Sequence, residues 1–198
     1  MKPTGNPQIN SKVYWNYIYN TPAKEVAYWS DTGRFPAVVN EVKDGDKFID
    51  FGCGVGIPGR TIMESRKGCE VWGTDISDDI IERNKKRDTD IQYFQGYVGY
   101  QDFLPSDYFD VVFAGEIIEH IDEPNKLFEE AYRVLKKGGI LIVTTPKEDR
   151  VRSSEHVWYF EEEDVKKFYR DAGFNGPKLI DLDGMEYMVV FFALGEKP

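Results

Sequence analysis

The sequence predicts one α/β domain: a mostly parallel sheet with helices on both faces, closed by an antiparallel last strand. Three observations predict it. Strand-like and helix-like stretches alternate from about residue 44 onward. Stretches such as Phe109-Asp110-Val111-Val112-Phe113-Ala114 are almost unbroken apolar runs, the mark of strands buried on both faces of a parallel sheet. Asp183-Gly184 separates the two final apolar stretches, and Asp-Gly is a strong hairpin-turn signal.

The elements follow in order. The leader, residues 1–43, is rich in aromatics: Tyr14, Trp15, Tyr17, Tyr19, Tyr28, Trp29 and Phe35. Pro22 interrupts it, and Gly33 and Pro36 mark a break. One or two short helices are expected, then a helix from about Pro36 to Val42. A free tail of this kind would expose too much apolar surface, so the leader should pack on the core, residues 44–198. It serves there as a core cover or as a lid over a substrate pocket. Asp44-Gly45-Asp46 is a turn, and Lys47 to Phe51 is a strand running into a glycine loop. A helix from Pro58 to Lys67 has proline near its first turn, where a missing N–H costs nothing, and Gly68 closes it. Glu70 to Asp75 is a second strand. Ser77 caps a helix with an acidic first turn, continuing from Ile80 to Arg87. Ile91 to Gln95 and Phe109 to Ala114 are the third and fourth strands. Glu123-Pro124 opens a long helix that should stop at Lys136-Lys137-Gly138-Gly139, a basic last turn followed by glycine. Ile140 to Thr144 is the fifth strand, ended by Pro146. A helix from about Glu161 to Asp171 is closed by Gly173, and Lys178 to Leu182 and Tyr187 to Leu194 form the closing hairpin.

Composition bounds the function. A chain of 198 residues suits one sizeable core. The longest apolar run, Tyr187 to Leu194, is far too short to span a bilayer, and Met1 to Gly5 has no signal-peptide character, so a cytoplasmic location is expected. The net charge of -10 argues against a nucleic-acid backbone as the main partner. Lys85-Lys86-Arg87 reads as a solvated helix end rather than a basic patch. The two cysteines, Cys53 and Cys69, form no zinc-type cluster, and Cys53 reads as a small loop residue rather than a nucleophile.

The chemistry concentrates in Asp50-Phe51-Gly52-Cys53-Gly54-Val55-Gly56. In open α/β sheets ligands bind beyond the carboxyl ends of the strands. Glycine there permits a tight turn and a close backbone approach. The glycines Gly52, Gly54 and Gly56 are spaced GxGxG, not the GxGxxG of a dinucleotide site, and Asp50 stands two residues ahead of them. An acid aimed at a pyrophosphate would be unwelcome. Beside an ammonium and a sulfonium it is favourable, which prefers S-adenosylmethionine over NAD. Asp75 ends the second strand at about the ~20-residue spacing of an acid that accepts ribose hydroxyls.

With these residues in view, the chain resembles the class I S-adenosylmethionine-dependent methyltransferases. Asp50 to Gly56, Gly73-Thr74-Asp75-Ile76-Ser77, Phe109 to Val112, Glu116-Ile117-Ile118-Glu119-His120-Ile121 and Arg133 to Gly139 carry the resemblance, in the family's order. Within the class it looks most like the ubiquinone-biosynthesis O-methyltransferase group. The resemblance implies a Rossmann-like three-layer sandwich whose seven-stranded sheet has an antiparallel last strand. It implies that Asp50, Gly52, Cys53, Gly54 and Gly56 hold the methionine part of the cofactor. Asp75 would hold the ribose, with Ile76 beside the adenine, and Glu116 and Ile117 would line the pocket. Relatives carry an acid and a small residue after the third strand; here either Tyr97 takes that place or Asp102 reaches back.

The only histidines, His120 and His156, both follow strands at the active-site end. Histidine titrates near neutrality, so one or the other is the candidate base for a hydroxyl acceptor. Glu116, Glu119 and His120, with His156, also make a candidate divalent-metal set. The preferred reading assigns no metal: Glu119 caps a turn and Glu116 contacts the cofactor. The expected function is methylation of a small-molecule acceptor, chiefly at oxygen, by a monomer or homodimer. The competing classes are a non-catalytic cofactor-binding subunit and an NAD-dependent oxidoreductase or epimerase.

Overall fold

The structure, a computed structural model, describes residues 2–3, 10–21, 34–146, 155–181 and 190–198. In chain order its elements are β1 (Lys2–Pro3), α1 (Lys12–Tyr19), α2 (Arg34–Glu41), β2 (Lys47–Phe51), α3 (Ile57–Ser65), β3 (Glu70–Asp75), α4 (Asp78–Arg87) and β4 (Gln92–Gln95). There follow β5 (Phe109–Gly115), α5 (Pro124–Val134), β6 (Leu135–Pro146), β7 (Trp158–Tyr159), α6 (Glu162–Ala172), β8 (Lys178–Asp181) and β9 (Val190–Glu196).

The main sheet has the order β4-β3-β2-β5-β6-β9-β8. The strands from β4 to β6 are mutually parallel. β9 runs antiparallel to both β6 and β8. The strand order reverses between β2 and β5, and the crevice beyond such a reversal is where open α/β sheets bind ligands. The glycine loop leaves β2 at that point. The proposed turn at Asp183-Gly184, and Tyr28 and Trp29 of the leader, lie outside the described residues.

Two cores sandwich the sheet, and the period of two along each strand explains them. In β2, Ile49 and Phe51 face a core shared with Leu127, Phe128 and Ala131 of α5 and Val165 and Tyr169 of α6. Phe48 faces the other core, with Val38 of α2, Ile62 of α3 and Ile80 and Ile81 of α4. Local chemistry sets the helix ends. Ser77 accepts from the Ile80 N–H to start α4. Glu161 and Asp164 form a reciprocal capping box on α6. Gly173, at φ 97°, closes that helix in the left-handed region.

One boundary corrects the sequence reading. α5 stops at Val134, and Lys136 to Gly139 lie in β6 instead of forming the helix end. Sheet pairing explains it: Leu135 pairs with Phe109, Lys136 Nζ reaches Asp110 at 2.7 Å, and Gly138 N–H donates to Lys197 O at 2.8 Å. Tertiary pairing outweighs the local basic-glycine stop signal. The two-residue pairing of β1 with β7 also carried no sequence signal.

The leader packs on the core through named bonds. Asn16 Nδ2 donates to Asp78 at 2.7 Å, Ser77 Oγ donates to Asn16 Oδ1 at 2.6 Å, and Arg83 donates to Tyr19 O at 2.6 Å. Arg66 donates to Val42 O at 2.6 Å and to Val39 O at 2.7 Å, holding the end of α2 to the end of α3. Among the described residues, no helix is long and apolar enough to cross a membrane.

Phe128 is fully buried and meets both Phe168 and Tyr169, at 5.1 and 5.0 Å between ring centroids. Phe128→Ala should therefore destabilise the domain by about 3–5 kcal/mol in urea denaturation. A loss below 1 kcal/mol would contradict this packing.

Candidate active site

The loop after β2 is built from left-handed glycines: Gly52, Gly54 and Gly56 have φ of 74°, 48° and 76°. Gly52 and Cys53 both donate their N–H to Thr74 O at 2.8 Å, which ties the loop to β3. The outer carbonyls are held from behind. Asn84 Nδ2 donates to Gly54 O at 2.8 Å, and Arg60 and Arg87 each donate to Val55 O at 2.7 Å. Arg87 is therefore a loop anchor and not simply part of a solvated helix end. A Cβ on Gly52 would stand 2.3 Å from Ile117 Cδ1, and one on Gly56 would stand 2.5 Å from the Tyr93 hydroxyl.

Two acids lie under this loop. Asp50 is 2% exposed, and its Oδ2 has no hydrogen-bond partner among the described residues. Burial, and then the charge of Asp75, push its carboxyl well above the usual range. Asp75 accepts from Ser77 N–H and from Gly54 N–H, both at 2.9 Å. Burial raises it to about 6 while those backbone bonds pull the other way. A buried carboxylate with an unused oxygen is costly and fits a cationic ligand group. Cys53 is buried, and its thiol is pushed up by burial and by both acids, so it stays a neutral loop residue.

The opposite rim begins after β5. Glu116 has φ 52°, one of two non-glycine residues among those described with positive φ. Its N–H donates to Thr144 O at 2.8 Å. Strain of this kind gathers at functional sites. Ile117 follows it, half-buried, against Gly52. Further on, Glu119 is 1% exposed and accepts from Thr145 Oγ1 at 2.9 Å. His120 Nδ1 lies 3.0 Å from Glu155 O, and the His120 and His156 rings are 5.0 Å apart. Burial, then the neighbouring His156, push His120 down to about 4; burial also lowers His156. Both imidazoles are therefore neutral at pH 7.

Ligating atoms of Glu119, His120 and His156 all lie within 4.8 Å of one another. One carboxylate with two neutral imidazoles could hold a divalent transition ion. Glu116, named with them on sequence grounds, is not part of this group.

The leader roofs both halves. Tyr19 Oη donates to Asp75 Oδ2 at 3.4 Å, Tyr14 Oη donates to Glu155 Oε1 at 2.6 Å, and Trp15 stands edge-on to His120 at 5.3 Å. After β3 and β4, Ile76 and Tyr97 are half-buried, the Tyr97 and Tyr100 rings lie 5.9 Å apart tilted by 43°, and Asp102 is exposed. The expectation that Asp102 reaches back thus fails: the chain turns its side chain to solvent. Gln101 is buried in its place. Neither of its side-chain amide atoms is hydrogen-bonded among the described residues, and Nε2 lies 3.1 Å from where a Gly96 Cβ would stand.

Sequence reasoning missed Asn84, Glu155, Thr145 and Gln101. Asn84 alone left a signal, as an asparagine inside a helix, where its side chain competes with the backbone.

Residues 49–143 match the family described as methyltransferase domain. The chain is 36% identical over 124 residues to squalene methyltransferase 1 of Botryococcus braunii, covering 59% of this chain and 32% of that protein. It is 30% identical over 108 residues to the mitochondrial ubiquinone biosynthesis O-methyltransferase of Candida albicans, covering 52% of this chain and 33% of that protein. The chain spans about a third of the length of these curated relatives. Among solved structures it resembles Haemonchus contortus phosphoethanolamine N-methyltransferase 2 in complex with S-adenosyl-L-methionine. The TM-score is 0.72 at 17% identity, over 95% of this chain and 57% of that one.

Two substitutions test the donor loop. Gly52→Ala forces a left-handed alanine, costing about 1–2 kcal/mol, and crowds Ile117. It should weaken S-adenosylhomocysteine binding at least tenfold by calorimetry in a protein that still folds. Asn84→Leu leaves the Gly54 carbonyl with only the weak Cys53 thiol at 3.8 Å, a loss of about 1–3 kcal/mol, and should weaken the same ligand; unchanged affinity would remove Asn84 from the loop's support.

Proposed function

We propose, from the premise that residues 49–143 are an S-adenosylmethionine-dependent methyltransferase domain, that this chain transfers a methyl group to a hydroxyl oxygen of a small molecule. The observation that carries the reading is the pairing of two features. One is the glycine loop over the buried, half-unpartnered Asp50; the other is a neutral His120 on the facing rim. We read residues 1–198 as one domain, with 1–43 as its lid.

Asp50 would face the ammonium and sulfonium end of the cofactor, where its desolvated carboxylate gains the partner it lacks. Asp75 would take the ribose hydroxyls in place of Tyr19. Gly52, Gly54 and Gly56 let the backbone approach closely, with Ile117 closing over Gly52 and Ile76 and Tyr97 flanking the adenine. Bound there, S-adenosylmethionine supplies an electrophilic methyl on a good leaving group. The protein then contributes proximity and alignment and a proton acceptor. His120 Nδ1 faces a carbonyl, which can only accept, so Nδ1 carries the hydrogen and Nε2 is the basic atom. A hydroxyl held at Nε2 passes its proton there as the oxygen attacks. Burial, and then His156 beside that ring, keep it neutral.

A carbon acceptor is the second reading, favoured by the match to a squalene methyltransferase. It would use the ring faces of Trp15 and Tyr19 to steady positive charge and would need no base in the first step.

The test is a screen of acceptors with methyl-labelled S-adenosylmethionine, followed by identification of the methylated atom. With an oxygen acceptor, His120→Ala should lower turnover by roughly 10²–10⁴-fold. Wild-type turnover in both His120→Ala and His156→Ala would eliminate the base. Protonation of His120 removes the acceptor, so kcat at saturating S-adenosylmethionine, with Asp75 already engaged by the cofactor, should stay flat above pH 5 and fall only near the lowered pKa of about 4. A fall centred near the usual 6.5 would contradict the burial of that ring. Activity should survive exhaustive chelation; its loss, with recovery on adding a divalent ion, would give Glu119, His120 and His156 a metal role instead.

A further inference from the structure

His120 is useful as a base only in one tautomer, and the groups that select it come from the leader. Glu155 O, which faces His120 Nδ1 at 3.0 Å, also accepts from Asn10 Nδ2 at 2.7 Å. The Glu155 side chain is held by the Tyr14 hydroxyl at 2.6 Å. The next residue, Trp15, meets the His120 ring edge-on at 90°. Backbone carbonyl and ring are thus fixed by adjacent residues of α1 and by Asn10 just before it. The opposite tautomer would set two lone pairs against each other at 3.0 Å. The far end of the same eight-residue helix carries Tyr19 to Asp75.

We propose that Tyr14 is a positioning residue for His120, acting through Glu155, and that α1 links this positioning to the donor acid through Tyr19. The inference rests on the reading of His120 as the base. Tyr14 touches no reacting atom. Its hydroxyl holds the Glu155 carboxylate, and this holds the carbonyl that keeps the proton on Nδ1 and Nε2 bare. At the other end Tyr19 occupies, at Asp75 Oδ2, a lone pair that a ribose hydroxyl would take. A nucleoside arriving there displaces the phenol. The helix is short and stiff, so a shift at Tyr19 is felt at Tyr14 and Trp15, one turn away. The consequence is order: the donor site fills, α1 resettles, and the base is set for the acceptor.

The chain has two histidines, which makes the tautomer directly readable. In protein labelled with ¹⁵N-histidine, His156→Gln leaves the His120 imidazole alone for assignment. Long-range ¹H–¹⁵N spectra of the wild type should show His120 protonated at Nδ1 and bare at Nε2. Tyr14→Phe keeps the ring and removes only the hydroxyl. It should raise the Nε2-protonated fraction of His120 at least tenfold and leave His156 unchanged. Glu155→Ala removes the same clamp from the other side and should do likewise, which keeps the test alive if one variant does not fold. A wild-type His120 protonated at Nε2, or folded variants with the wild-type pattern, would overturn the proposal. For the link to the donor site the probe is adenosine, which carries the ribose hydroxyls without the amino-acid tail. It should shift the His120 resonances of the wild type, and Tyr19→Phe should already resemble that bound state before adenosine is added. Adenosine that binds by calorimetry without moving His120 would overturn the link. Failure of both adenosine and S-adenosylmethionine to bind would instead sink the methyltransferase reading and leave the tautomer result standing on its own.

Discussion

Two carboxyl groups buried beneath one loop are the constraint on which the site depends. Asp50 stands in β2 and Asp75 ends the neighbouring β3, both nearly inaccessible to solvent. Placing one ionised acid out of water is costly, and placing two close together adds repulsion. Asp75 is answered by the backbone: the N–H groups of Gly54 and Ser77 converge on it. Those bonds dictate the path of the glycine loop and the start of α4, since the residue that caps α4 also donates to the acid. Asp50 has no such answer at its Oδ2 among the described residues. A fold that leaves a buried acid half-satisfied stores a demand for positive charge. The family match spans both acids and the loop between them.

The loop's shape is the second consequence. Its N–H groups turn inward to Asp75 and Thr74, so its carbonyls must turn outward, and each needs a donor. Asn84, Arg60 and Arg87 supply them from α3 and α4. This explains why a helix with two lysines and an arginine in its last turn is more than a soluble surface. Two of its residues, Asn84 and Arg87, fasten the loop. The positive φ of all three glycines follows from the same inversion of the peptide planes.

Much of this was legible in the residues, and the reasons are local. Strand β3 was read from Glu70 to Asp75, and the Ser77 cap of α4 was read outright, because a serine before acids and an apolar stripe leaves little choice. The mostly parallel sheet followed from apolar runs that no half-exposed strand would carry. The end of α5 was misread because the stop signal at Lys136 to Gly139 is local, whereas the pairing of those residues with Asp110 and Lys197 spans the sheet. In the site, the loop and its acids announce themselves through glycine spacing and a strand-ending acid. Glu155 does not, and Asn84 does so only as an asparagine inside a helix. Their roles come from one carbonyl and one side-chain amide, and no residue type encodes where a carbonyl will point.

The division between donor and acceptor halves has a structural basis. The matched span, residues 49–143, holds the glycine loop, both acids, Glu116, Ile117 and His120. The groups facing His120 from outside that span are Trp15 of α1, Glu155 and His156, and Tyr14 of α1 holds the Glu155 side chain. Relatives matched over this span carry names as different as squalene methyltransferase and ubiquinone biosynthesis O-methyltransferase. A donor site built on backbone geometry tolerates such variety, because its demands are met before any acceptor arrives. Acceptor chemistry must then be written in the flanking segments. Here those segments bring an indole edge, a second imidazole and the Glu155 carbonyl to bear on one histidine, with the Tyr14 phenol on the Glu155 side chain; under the proposed reading these contacts orient a proton acceptor. A hydrocarbon acceptor would have no use for a tautomer held so firmly; a hydroxyl would.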